Sequence, residues 1–227
     1  MDGAANEKAM NTQESQPPGF LAVAKEGGGP GVLVLHAWWG LNDAIKAVCH
    51  RLAENGFTAF APDLYHGRVA DTIPAAEALG RALDANQVQA KGEVLRAAEF
   101  LAAQCGEAAA GVAVMGFSLG AYYSLHLASS APSLVRSVVL FYGCGSLEHG
   151  KSRAAYLGHF AETDEFESQA EVDALEDSLR KAGRPVTFHV YPGTGHWFLE
   201  PDRTPAYDPA SAELAWERTL AFLGRLP

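Results

Sequence analysis

Gly111-Val-Ala-Val-Met-Gly-Phe-Ser-Leu-Gly120 carries a short apolar run straight into a glycine–serine–glycine turn. Beyond it, Leu119 to Ala131 continues as a mostly apolar stretch of helical length. The run Gly111–Gly116 has the length and branched content of a buried strand, and a helix that is apolar on most sides is itself buried. Ser118 falls on the junction, inside a G-x-S-x-G motif spanning Gly116–Gly120. A serine becomes an exposed nucleophile on a sharp strand-to-helix turn, and flanking glycines let the backbone reverse there without clashing. The helix start also offers amide N–H groups to a developing oxyanion. Alone the motif is weak, since glycine is frequent enough here for chance to supply it roughly once in ten such chains. A glycine-rich turn with Ser118 as a simple helix cap remains the alternative.

The same alternation extends in both directions. Upstream, Gly31–His36 and Thr58–Asp63 read as buried strands. Between them Asn42 can cap a helix with Ile45, Val48 and Leu52 on one face and Gly56 past its end. A helical region from about Pro74 to Gln104 should break near Asp84–Asn86. Downstream, Val135–Tyr142, Ala154–Phe160 and Pro185–Tyr191 are strands. Ser168 and Glu171 form a capping box ahead of Val172, Leu175 and Leu179. Asp208 and Pro209 open a last helix, closed by Gly224. Strands that are apolar throughout and alternate with helices imply an α/β fold, a mostly parallel sheet covered by helices on both faces. Ligands of such sheets bind beyond the carboxyl ends of the strands.

Composition narrows the function. The chain has 227 residues and a formal net charge of −10. That acidity disfavours phosphate backbones and anionic lipid, so neither a nucleic-acid nor a membrane partner is expected. No apolar run approaches the ~20 residues of a membrane span. Cys49, Cys105 and Cys144 are odd in number and lack metal-ligand spacing, which argues against a disulfide framework or structural zinc and for a reducing cytoplasm. Residues 1–19 are polar and unlike a signal peptide, so a partly disordered leader is expected, with a single domain over 20–227. Gly27-Gly-Gly-Pro-Gly31 precedes a strand and lacks a following G-K-[ST], so it reads as a turn and not as a phosphate loop.

A serine nucleophile needs a base, and the base an orienting acid. Asp164 directly follows one expected strand and His196 lies in the loop after the last. His50 and His126 fall within helices, His189 lies mid-strand, and His66 reads as an exposed loop histidine. Glu162, Glu165 and Glu167 near Asp164 read as solvated loop carboxylates. The loop His36-Ala-Trp-Trp-Gly-Leu-Asn42 could supply a second oxyanion donor, with one tryptophan packing and the other lining the cleft.

Five motifs together resemble the dienelactone hydrolase family of α/β hydrolases: His36–Asn42, Ala61-Pro-Asp-Leu-Tyr65, Gly116–Gly120, His159-Phe-Ala-Glu-Thr-Asp164 and Gly195-His-Trp-Phe198. The Pro205–Asp208 segment and Ala215–Leu220 are also similar. The resemblance implies an α/β-hydrolase fold, nucleophile Ser118, acid Asp164, base His196, and an oxyanion hole of the Leu119 and Trp38 backbone amides. It implies no metal and no organic cofactor. Trp39, Tyr142 and Phe198 are expected to line the substrate pocket. Two departures stand out. Well-studied members use a cysteine nucleophile with a glutamate on the loop that here reads His36–Asn42, and at those two positions this chain has Ser118 and Ala37. The two changes fit together, because a thiol must be converted to thiolate whereas a serine loses its proton to histidine during attack. The family also carries a substrate-binding arginine four residues after the histidine, and here that residue is Glu200. Arg81 and Arg203 are the nearest other candidates in sequence.

The expectation is therefore a serine hydrolase of small carboxylic esters or lactones, with a non-hydrolytic small-molecule binding protein on the same fold as the alternative. No insertion is long enough for a cap domain, so the cleft should be roofed only by loops at Tyr65–Ile73 and Phe198–Tyr207. With Glu200 beside the site, a neutral ester is the expected substrate. Oligomeric state is left open by the sequence.

Overall fold

The computed structural model describes residues 16–25, 27–105, 111–145 and 148–225. Seven strands form one sheet: β1 (Gly19–Ala22), β2 (Gly31–Leu35), β3 (Thr58–Pro62), β4 (Val112–Phe117), β5 (Val135–Phe141), β6 (Ala155–Ala161) and β7 (Val186–Tyr191). Their order is β1-β3-β2-β4-β5-β6-β7. Only β1 runs antiparallel. The helices are α1 (Asp43–Glu54), α2 (Ile73–Ala85), α3 (Gln87–Cys105), α4 (Leu119–Ser130), α5 (Gln169–Lys181) and α6 (Pro209–Leu223).

Period-two alternation explains why the inner strands are apolar throughout. Leu33 and Leu35, Val112 and Val114, and Val138 and Leu140 point toward α3, α4 and α5. Val32 and Val34, Ala113 and Met115, and Val139 and Phe141 point to the other side, toward α1 and α6. Both faces are buried, and each buried aliphatic side chain contributes about 1.5–3 kcal/mol. Helix α1 starts where Asn42 Oδ1 accepts the Ile45 N–H at 3.1 Å, and it buries Ile45, Cys49, Leu52 and Ala53. The expected break in the long helical region falls at Asn86. Its side chain donates to the Ala82 carbonyl at 2.9 Å, while its own carbonyl accepts the Ala90 N–H at 3.0 Å. One side chain thus closes α2 while its backbone opens α3. The capping box of Ser168 and Glu171 starts α5 as expected.

Strand order positions the site. From β2 the chain moves to β3 on one side, then returns to β4 on the other. The loops leaving β2 and β4 therefore diverge, and such a switch point opens a crevice at the carboxyl ends of the strands. Leu35 pairs with Gly116 at that edge, so residues 36–42 and Ser118 face one another across the crevice.

One element had no counterpart among the expected strands, and one bound shifts with it. Strand β1 carries no strand signal in its own four residues and is ordered by pairing with β3. Gly19, counted with the expected leader, therefore belongs to the sheet. The Pro18 carbonyl accepts the Asp63 N–H at 3.0 Å, and Gly19 already opens β1. Residues 1–15 of the expected leader lie outside the described residues. The Gly27 N–H bonds to the Ala24 carbonyl at 2.9 Å, a turn at the end of the sheet opposite the crevice. No helix among the described residues is long and apolar enough to cross a membrane.

Candidate active site

Ser118 occupies the junction of β4 and α4 with φ 48° and ψ −112°, a conformation that costs a non-glycine residue energy. Its surroundings hold it there. The Ser118 N–H donates to the Phe141 carbonyl of β5 at 2.9 Å, and its own carbonyl accepts from Ala121 at 2.8 Å. The close packing explains two glycines. A Cβ on Gly120 would overlap the Leu35 carbonyl of β2. A Cβ on Gly143 would sit 2.5 Å from the Ser118 carbonyl oxygen. The Gly143 requirement is a tertiary one and lies outside the motif.

The structure brings Ser118, His196 and Asp164 into one hydrogen-bonded row. Ser118 Oγ lies 2.9 Å from His196 Nε2, and His196 Nδ1 lies 2.7 Å from Asp164 Oδ2. The other oxygen of Asp164 accepts the N–H groups of Phe166 at 2.9 Å and Glu167 at 3.1 Å. A carboxylate only accepts hydrogen bonds, so the imidazole donates through Nδ1 and Nε2 remains an acceptor toward the serine hydroxyl. The side chains of both His196 and Asp164 are only 4% exposed.

Opposite the serine, the Gly40 N–H bonds to the Ala37 carbonyl at 3.2 Å and folds residues 37–40 into a turn. Beneath it, buried His36 donates from Nδ1 to the same Ala37 carbonyl at 2.8 Å. Burial holds the His36 pKa below its ordinary value, so the ring is a neutral strut. Leu119 is the first residue of α4, and the first amides of a helix have no partner within it. Trp38 is half-buried, with its ring 5.6 Å from that of Phe166 and against α2 at Gly80.

Trp39, Tyr142 and Phe198 do not line an open pocket as expected. They are 2%, 0% and 0% exposed, and they form the wall behind the histidine. Rings of Tyr142 and His196 meet edge to face at 5.0 Å, and Phe198 packs on Tyr142 at 5.6 Å. Trp197 and Arg203 cover Trp39, and Glu200 holds Tyr142, so the loop at 197–203 carries Phe198 inward and closes over the other two. Glu200 is corrected likewise. It is 2% exposed, accepts a 2.9 Å hydrogen bond from the Tyr142 hydroxyl, and is not a charge in the cleft. Burial pushes its pKa up to about 8. Of the two candidate arginines, Arg203 is committed to other partners and Arg81 sits in an exposed pair on α2. Arg203 stacks at 3.9 Å on Trp39 and pairs with Asp202 at 2.9 Å, while Arg81 pairs with Glu77 at 3.2 Å. His66 is exposed, 3.7 Å from Glu93, as expected for a loop histidine.

Two features went unread in the sequence, and Glu167 differs from its expectation. Phe166 carries one ring against both His196 (4.8 Å) and Trp197 (5.2 Å). Glu167 is half-buried, not solvated; burial pushes its pKa to about 7, and it is hydrogen-bonded to Cys144. His159 is fully buried between the Tyr191 hydroxyl (2.7 Å) and Thr219 (3.0 Å). Because the Thr219 hydroxyl donates to the Ala215 carbonyl, it accepts from His159 Nε2–H, and Tyr191 donates to Nδ1. That relay ties β6 to β7 and α6 directly beneath the acid loop. The composition of the His159–Asp164 motif was its only sequence signal.

Comparison with known proteins agrees with this architecture. The model of the dienelactone hydrolase family matches residues 18–226. Protein usf of Aquifex pyrophilus is 36% identical over 211 residues, covering 90% of this chain and 91% of the relative. A protein of Aquifex aeolicus provisionally named carboxymethylenebutenolidase is 33% identical with the same coverage. A crystal structure of a provisionally assigned dienelactone hydrolase from Klebsiella pneumoniae superposes with a TM-score of 0.76 at 26% identity, covering 89% of this chain and 90% of that one.

Proposed function

The chain belongs to the dienelactone hydrolase family of ester- and lactone-cleaving α/β hydrolases, and from that premise we propose that it is a serine hydrolase acting through an acyl-enzyme on Ser118. The observation that carries the reading is the Ser118–His196–Asp164 row, with contacts of 2.9 and 2.7 Å at the end of a strained elbow.

The steps follow from the geometry. Ser118 Oγ attacks the carbonyl carbon of a small ester or lactone as its proton passes to His196 Nε2. Asp164 Oδ2 holds the ring in the required tautomer and stabilises the imidazolium. The amides of Leu119 and Trp38 bind the oxyanion, each such donor being worth about 3 kcal/mol. His196 then protonates the leaving alkoxide and activates water to cleave the acyl-enzyme. Ala37 takes the place of the family's glutamate, and with a serine nucleophile no carboxylate is needed there. Because Glu200 is buried and Arg203 is stacked on Trp39 and paired with Asp202, the substrate need not present a carboxylate to that wall. Three free cysteines fit a reducing compartment.

Hydrolysis of short p-nitrophenyl esters tests the reading. Ser118→Ala should lower kcat by about 10³-fold or more, and a fluorophosphonate should label Ser118 alone. Undiminished turnover by the purified variant would overturn the role of Ser118.

A further inference from the structure

A cavity of about 410 Å³ opens between the segment after β5 and the first turns of α5, lined in part by Cys144, His149, Phe166, Glu167, Glu171 and Leu175. It adjoins the hydrolytic centre. Phe166, one of its walls, places its ring 4.8 Å from the ring of His196 and 5.6 Å from that of Trp38. Glu167 follows the acid loop directly, and its N–H bonds to Asp164. Two glutamates line the cavity, and among the described residues that line it there is no lysine or arginine. Beside the acids, His149, Cys144 and Ser178 add polar groups, and Phe166, Leu175 and Ala174 form an apolar stretch. Such a lining accepts an alkyl chain that ends in a hydrogen-bond donor or positive charge, and it excludes a carboxylate.

We propose that this cavity is the acyl-chain subsite of the hydrolase and that Glu167 makes it select esters whose acyl chain ends in an ammonium group. The inference rests on the ester-hydrolase reading for its catalytic arm only. Glu167 faces Asp164 on its own loop, Glu171 on α5 and Cys144 after β5, with His149 lining the same space. Burial and the two neighbouring acids raise the Glu167 pKa to about 7. Selectivity therefore strengthens as pH rises through neutrality, while an alkylammonium stays protonated up to about pH 10.

The test uses three p-nitrophenyl esters of matched length: 6-aminohexanoate, heptanoate and the adipate monoester. At pH 8 the amino ester should exceed heptanoate in kcat/KM by about 10-fold, and the adipate ester should be poorest. The first ratio should shrink at pH 6. Glu167→Gln keeps the loop amides and should bring the ratio near one. An unchanged ratio in Glu167→Gln, or a preference for adipate, overturns the proposal and leaves the hydrolase reading standing. Binding of hexylammonium, titrated by NMR against wild type and Glu167→Gln, decides the subsite independently of turnover. Equal binding to both proteins overturns it even if no ester is cleaved.

Discussion

Asp164 and Glu200 are two buried acids tied to one imidazole, Asp164 directly and Glu200 through Tyr142, and their surroundings differ. Asp164 receives the His196 Nδ1–H and two backbone amides. Glu200 receives one phenol hydroxyl, and its Oε2 has no hydrogen-bond partner among the described residues. A carboxylate with three donors is matched to carrying charge, whereas one with a single donor in an apolar wall favours the protonated form. The lesson is that donor supply, not proximity to the histidine, divides the roles: Asp164 orients His196, and Glu200 holds Tyr142 against its edge.

The largest way to break this contrast is Asp164→Asn. The amide cannot hold the same tautomer, so kcat should fall by about 10⁴-fold with little change in fold, measured by ester kinetics beside circular dichroism. Glycine at 143 comes next. Gly143→Ala pushes a methyl into the Ser118 carbonyl and should lower stability by about 2–3 kcal/mol, read by urea denaturation, together with a loss of kcat. Glu200→Gln sharpens the comparison through pH. A folded pKa of about 8 lies above the unfolded value of about 4.3, so the contribution of Glu200 is fully present below pH 4.3 and lost as pH rises through 8. Wild type should therefore lose Tm relative to Glu200→Gln between pH 5 and 9, and parallel Tm curves would refute the protonated assignment. Tyr142→Phe removes the single donor to Glu200 and should cost about 1–3 kcal/mol, with only a modest fall in kcat. Ser168→Ala is the smallest change. Loss of the α5 cap should cost about 1 kcal/mol and leave turnover nearly intact, since Asp164 is held by amides upstream of it.

Much of the sheet was legible because its strands are buried on both faces and its helices carry their own start signals, such as Asn42, Ser168 and Asp208. Strand β1 was not, because four residues, three of them half-buried, acquire their identity from β3. At the site, the order of Ser118, Asp164 and His196 along the chain pointed to loops that converge, and the structure places them within hydrogen-bonding distance. Which aromatic residues face solvent was misread. Trp39, Tyr142 and Phe198 lie in loops, where periodicity carries no information about burial.

By itself the sequence determined what is written locally: the strand–helix alternation, the turn at Ser118, the helix caps and the family to which those motifs belong. Only the tertiary structure decided what depends on neighbours distant along the chain. It buries Glu200 beneath Tyr142, sets Glu167 against Cys144, and requires a glycine at 143 beside the serine carbonyl. The physical reason is that protonation and steric fit are set by the dielectric and the atoms within a few ångströms. Those surroundings exist only once β4, β5, β6 and the loops after β6 and β7 have been brought together.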